Sequence, residues 1–409
     1  FNYDGMDYRM DAFINQGSYY NGWADGNNIG FGSQNGQYWA RSSDVVYHEY
    51  THNTVYHLYG NDWIGDPNNW YTQGSAMDEG FADFFACTIN NDHIQGESVG
   101  VSRDLDNTLE WDPSENKYYN CRVIGGACWD LREAPDIGVN YANELVFDAL
   151  QMTPHAYNFA DFLDNMILAD DDDGNIDNGT PHDDQICDAF INNHKIVGTY
   201  LVGKINRNIT IDQSVIIIGS VTVTSGATLT IQPGVTVEFG GYYNLTAKAD
   251  SKIIAEGTED EPILFTSATG TSRQSWKNIY IYSSHNRFKW CTFEYGNWAL
   301  KVEGYPNFAT DNVIENCTFH DNDQALRIHK NTATVKNCQI YNNRHGLVCC
   351  NNTQVDFTAN HIYNNDRDGV YTWSGNHLNF LRNVIENNGL GHSSTCNGNL
   401  YNFFGCYLT

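Results

Sequence analysis

Between Ser42 and Tyr59 no proline or glycine interrupts the chain, and apolar residues recur on one side at helical spacing, which predicts a helix. A second helical stretch is predicted from Ser75 through Phe85, with Ser75 as its N-cap and Asp78 and Glu79 in the first turn. Upstream, residues 3–37 are rich in Tyr, Asn, Gly and Asp and give only short elements, at Asp11–Asn15, Asn21–Ala24 and Ile29–Gly32. An edge strand there would be able to pair with an extended peptide. From Tyr200 onward helical periodicity disappears. Val215–Phe239 is a run of short β-branched stretches broken by Gly, Ser and Pro. Further on, Trp290-Cys-Thr-Phe293, Asn316-Cys-Thr-Phe319, Asn337-Cys-Gln-Ile340, Ala359-Asn-His-Ile362 and Arg382-Asn-Val-Ile385 repeat one another. Their second residues, Cys291, Cys317, Cys338, Asn360 and Asn383, are spaced 26, 21, 22 and 23 apart. Such a period, made of short strands, predicts a solenoid whose turns stack strand on strand. The Cys/Asn positions would form an internal column at a bend, the asparagines bonding along the axis and the thiols packing as small apolar groups. The expected organisation is a mainly α module with an N-terminal edge sheet over residues 1–198, then an all-β parallel solenoid over 199–409.

Charge sharpens that boundary. Residues 1–198 hold 33 Asp and Glu against 7 Lys and Arg, a net of −26, whereas 199–409 hold 17 against 15, a net of −2. The acidic half would repel nucleic acid and anionic membranes and suits cation binding. Eleven cysteines without a C-x-x-C pair exclude a complete intrachain disulfide framework. No run of eighteen apolar residues marks a membrane span, and the start at Phe1 suggests a processed piece.

The first predicted helix carries His48-Glu-Tyr-Thr-His52. Its two histidines stand one turn apart on one face, so two imidazole nitrogens can reach a single Zn²⁺. Glu49 then projects toward a metal-bound water. On the second helix Glu79 supplies a third ligand, and Asp83, one turn on, accepts the outer N–H of a ligand histidine. The structural alternative is a helix with two surface histidines.

Asn21-Gly-Trp-Ala24, Val45-Val-Tyr-His-Glu-Tyr-Thr-His52 and Asp78-Glu-Gly-Phe-Ala-Asp83, in that order, resemble the catalytic domain of thermolysin-like zinc metallopeptidases, the likeness extending over about residues 1–198. The resemblance implies His48, His52 and Glu79 as zinc ligands, Glu49 as catalytic base and Asp83 as partner of a ligand histidine. It puts Asn21 and Gly22 where the substrate backbone is held, and Arg103 near the substrate carbonyl. The family's oxyanion histidine, expected just before a helix over Val123–Arg132, is missing; Lys117-Tyr-Tyr-Asn-Cys-Arg122 stands there. Either Tyr118 or Tyr119 would supply a phenolic O–H instead, unless both are ordinary packed aromatics.

Asp170–Asp177 is an oxygen-rich turn in which Asp171, Asp173 and Asp177 form a candidate Ca²⁺ site, with a solvated acidic loop as the alternative. Residues 200–409 resemble right-handed parallel β-helix domains of secreted proteins, a likeness that fixes architecture but not activity. In register, Asp323, Arg344 and Arg367 would form an exposed column beside His345, read as ion pairs or as a polysaccharide lyase site. The expectation is a bacterial, secreted or cell-surface zinc endopeptidase acting on peptide or protein, with the β-helix attaching it to a polysaccharide or cell-surface ligand. The alternative is a surface adhesin or carbohydrate-binding protein whose peptidase module is inactive or weak.

Overall fold

The computed structural model describes residues 10–18, 20–66, 68–304, 309–351, 353–373, 377–389, 400–404 and 407–408. The chain divides into two compact units, one of residues 1–174 and 180–198 and one of 175–179 and 199–409.

The first unit begins with a three-stranded sheet in which β1 (Asp11–Ile14) runs parallel to the central strand and β2 (Gly22–Ala24) antiparallel to it, the centre being β3 (Asn28–Phe31). β2 therefore lies at a sheet edge, with one side open to pairing among the described residues. The longer helices that follow are α1 (Ser43–Leu58), α2 (Gln73–Asn90), α3 (Lys117–Glu133), α4 (Val139–Gln151) and α5 (Phe159–Asp170). α2 starts two residues earlier than the sequence predicts. Thr72 is its N-cap, accepting from the Ser75 amide at 3.1 Å, while the Ser75 hydroxyl donates to Asn69 O at 2.8 Å. Asn116 caps α3 by accepting from the amides of Tyr118 and Tyr119, so Lys117–Arg122, expected to precede a helix, form its first turns.

α2 and α3 cross closely because Gly80 has no side chain. A Cβ there would come within 2.7 Å of Cys121 O and 2.4 Å of Ile124 Cγ2. Phe81, Phe84, Phe162 and Phe190 fill the core beside this crossing, each fully buried and each stabilising the fold by about 2 kcal/mol. α1 differs from an ordinary amphipathic helix in that its buried residues include His48, Glu49, His52 and Asn53.

The second unit is a parallel β-solenoid of three ladders. One stacks Asn244–Ala247, Trp276–Ile281, Gly296–Glu303, Gln324–His329, His345–Cys350 and Val370–Trp373. A second runs from Thr236–Phe239 through Ile263–Ser267, Cys291–Glu294 and Val384–Glu386 to Tyr407–Leu408, and the third from Ile209–Ile211 through His377–Leu381 to Leu400–Phe404. Like residues stack along the axis, as in Phe265, Phe293 and Phe319, whose rings lie 4.9 and 4.5 Å apart. The predicted Cys/Asn column is present. Cys291, Cys317 and Cys338 are buried thiols, Asn360 Oδ1 accepts from the Cys338 amide at 2.8 Å, and Asn383 Oδ1 accepts from both Asn360 nitrogens at 2.9 Å. A longer ladder that the repeat analysis missed joins Asn322, Asn343, Asn365 and Asn388; the Oδ1 of Asn343, Asn365 and Asn388 each accepts from the backbone and side-chain nitrogens of the asparagine before it, and that of Asn322 from the Gly296 amide. A third includes Asn286 and Asn312.

Candidate metal centre

α1 and α2 bring His48, His52 and Glu79 together, with one ligand atom from each lying within 4.8 Å of the others. The two Nε2 atoms face each other at 3.0 Å, and Glu79 Oε2 lies 3.3 Å from His48 Nε2. The outer nitrogens point away from this centre toward carboxylates. His48 Nδ1 is 2.8 Å from Asp83 Oδ1 and His52 Nδ1 is 3.0 Å from Asp78 Oδ1. Each ring thereby presents Nε2 inward, the orientation a metal ligand requires. Asp83 falls where the sequence placed it. Asp78, which sequence reasoning left as a first-turn acid, does the same for the second histidine.

The electrostatics are those of a cation site. Burial works against a charged His48, yet Asp83 and Glu79 outweigh it and push its pKa up to about 10. Burial likewise opposes ionisation of Glu79, but hydrogen bonding from His48 and the nearby positive charges hold it well below the usual carboxylate range. Three Lewis bases converge on one point within this negative field, and that donor set fits Zn²⁺ held by two imidazoles and one carboxylate.

Glu49, on the same turn of α1 as His48, points into a hollow of about 340 Å³ that also contains the cluster. Burial raises its pKa above the ordinary carboxylate value. Its carboxylate fits because residue 22 is glycine: a Cβ there would meet Glu49 Oε1 at 2.4 Å. Asn21 and Gly22 line the same hollow, so the edge strand β2 runs along the site.

Two expected contributors to the oxyanion have partners of their own. Arg103 lines the hollow, but its Nε and Nη2 both donate to Asp83, each at 2.6 Å. It braces Asp83 through that fork. Tyr119 does not line the hollow; its ring lies under the Arg122 guanidinium, 4.7 Å from the ring centre. Tyr118 does line it. So does Lys117, which sequence reasoning passed over and whose Nζ lies 2.7 Å from Glu79 Oε1. Burial disfavours its charge, but Glu79 more than compensates and raises its pKa.

In the acidic turn, carboxylates of Asp171, Asp172 and Asp173 gather within 4.8 Å. The side chain of Asp177 lies outside the described residues. His182 is tied to buried Asp170 through its amide at 2.8 Å and Nδ1 at 2.7 Å. In the solenoid, Arg344 Nη1 pairs with Asp323 Oδ1 at 3.1 Å and His345 Nδ1 with Asp368 Oδ2 at 3.0 Å.

Comparison with known families matches residues 267–409 to a model described as a right handed beta helix region, and residues 203–289 to one described as a pectate-lyase like beta helix domain. The C-terminal unit is a right-handed parallel β-helix. Neither model reaches the helical unit, and no curated protein matches the chain. Among the described residues no helix is long and apolar enough to cross a membrane.

Proposed function

We propose that the chain is a secreted bacterial zinc endopeptidase of thermolysin-like type whose β-helix attaches it to a surface or substrate. The observation that carries this reading is the convergence of His48 Nε2, His52 Nε2 and Glu79 on one point beside Glu49. Zinc held by those three side chains supplies Lewis acidity toward oxygen groups in the hollow. The chain's own residues do the rest. An extended peptide pairs with the open side of β2, which places a carbonyl over the hollow. Glu49, made more basic by burial, removes a proton from water as its oxygen bonds to the carbonyl carbon, then returns that proton to the departing amine. Asp78 and Asp83 hold the histidine rings, and Arg103 holds Asp83.

Glu49→Gln keeps the shape and removes the base. It should retain bound zinc while casein cleavage falls by about 10²–10⁴-fold. Cleavage at the parent rate would sink the mechanism.

A second reading, a carbohydrate-binding or adhesin protein with an inactive peptidase module, is favoured by the outer surface of the β-helix and by the two family matches, which lie wholly within it. A hollow of about 350 Å³ on the first ladder is lined by Lys248, Lys277, Lys301, Tyr280, Trp298 and Asn278. Lys301 and Arg327 lie 4.5 and 4.3 Å from the centre of the Trp298 ring. Cations, amides and aromatic rings together suit an acidic sugar chain. Zinc content measured alongside chelator-sensitive casein cleavage separates the readings. Release of unsaturated sugars that survives Glu49→Gln would assign lyase chemistry to the β-helix instead.

A further inference from the structure

Attack on a peptide carbonyl moves an electron pair onto its oxygen, and a dry pocket must place positive charge or donors there. Two cationic residues, Arg103 and Lys117, line the hollow that holds Glu49. The Arg103 Nε and Nη2 are both taken by Asp83. Lys117 is placed differently. It is the first residue of α3, anchored by its amide to Trp70 O at 2.7 Å. Its ammonium lies 5.5 Å from the centre of the Trp70 ring and 5.1 Å from that of Tyr118. The Glu79 carboxylate is divided between two tasks, with Oε2 turned to His48 at 3.3 Å and Oε1 to Lys117 at 2.7 Å. That contact occupies one of the three N–H donors of the ammonium and holds the group beside the ligand cluster.

We propose that Lys117 is a catalytic residue whose ammonium stabilises the oxyanion formed on the scissile carbonyl, an inference that rests on the peptidase reading above. In the first step the water oxygen bonds to the carbonyl carbon, the carbonyl π pair becomes the oxyanion beside Lys117, and Glu49 receives the water proton. In the second the carbonyl reforms, the C–N bond breaks, and the amine leaves with the proton from Glu49. Lys117 keeps its own proton throughout, and no oxidant or reductant is involved. A fixed ammonium beside a charge that appears only in the intermediate acts on the chemical step more than on substrate binding.

The test uses the full chain loaded with zinc and compares Lys117→Met and Lys117→Arg with the parent. Three quantities are read: zinc affinity by chelator competition, the Kd of a peptide phosphonate mimicking the tetrahedral anion, and the Kd of the matching uncharged peptide. With Lys117→Met, phosphonate affinity and kcat should both fall by about 10²-fold. Zinc affinity, KM and peptide affinity should stay within about threefold, and Lys117→Arg should recover part of the loss. If zinc affinity falls while the ratio of phosphonate to peptide affinity is unchanged, Lys117 only braces Glu79 and the assignment is overturned. A parent protein that binds neither zinc nor phosphonate overturns the peptidase reading itself, before any variant is compared.

Discussion

In the helical unit a cluster of unlike buried polar residues is built around one point: the imidazoles of His48 and His52 and the Glu79 carboxylate converge there, with Asp83 behind His48 and the Arg103 guanidinium behind Asp83. In the β-helix the buried polar residues are mostly amides and hydroxyls. Asn322, Asn343 and Asn365 repeat along an axis, each satisfied by the next. The first arrangement places opposed charges where few waters reach them, so each group depends on the identity of its neighbours. The second pairs each ladder asparagine with the next and with the amides at the bend, so it specifies the stacking register and offers little chemistry. One unit concentrates charge and the other repeats neutral bonds. This difference separates a site from a scaffold more surely than the number of buried polar groups does.

The largest effect should come from the residue on which the convergent set depends most. Asp83 is fully buried and serves both His48 and Arg103. Asp83→Asn leaves the Arg103 charge buried and poorly matched, and should destabilise the helical unit by about 3–5 kcal/mol, read as lost hydrogen-exchange protection in α1 to α3. Asp78→Asn touches only His52 and should instead weaken zinc binding by about 10–100-fold, with little change in protection. If the two variants behaved alike, the carboxylates would be interchangeable supports and the convergent description would fail.

Asn343→Leu applies the same question to the ladder. Asn343 accepts from both Asn322 nitrogens and donates to Phe319 O, Tyr341 O and Asn365 Oδ1, with no exposed surface. Leucine leaves one backbone amide and two carbonyls unpaired, costing about 2–4 kcal/mol in all. The loss of exchange protection should be centred on the neighbouring turns, and zinc content should not change. A variant as stable as the parent would show that the ladder sets register without contributing stability.

What sequence revealed, and what it hid, follows the same division. His48, Glu49 and His52 lie within one helical turn and a bit, and Glu79 and Asp83 within another, so helical spacing alone groups each set. The role of Asp78 was hidden although it adjoins Glu79, because its partner His52 is on another helix and only tertiary packing brings them to 3.0 Å. Lys117 and the Arg103–Asp83 fork were hidden for the same reason. The Cys/Asn column was visible as a repeat. The Asn322, Asn343, Asn365 and Asn388 ladder carried an equal signal, with spacings of 21, 22 and 23, but lay a few residues beyond the motif used to align the turns. Its members also follow Asp321, Asn342, Asn364 and Asn387, all at positive φ, a second mark of a bend.

One cluster cuts across the contrast, because it gathers partly buried charge on one ladder of the β-helix. Glu303 receives Lys301 Nζ at 2.8 Å and His329 Nδ1 at 2.7 Å, and the Tyr280 hydroxyl donates to it as well. Burial opposes its ionisation, but these donors prevail and bring its pKa down from 4.5 to about 2. A carboxyl that titrates lower when folded stabilises the fold fully above about pH 4.5, and that contribution is lost as pH falls toward about 2. Because the side chains remain partly solvated, the pairing is worth only about 1 kcal/mol. Glu303→Gln should therefore lower stability by about that much at pH 7, and the gap to the parent should close between pH 4.5 and pH 2 in urea unfolding. A gap that persisted at pH 2 would mean that the shape of Glu303, and not its charge, holds the cluster. The patch would then belong with the neutral ladders as scaffold instead of with the metal centre as a site that depends on charge.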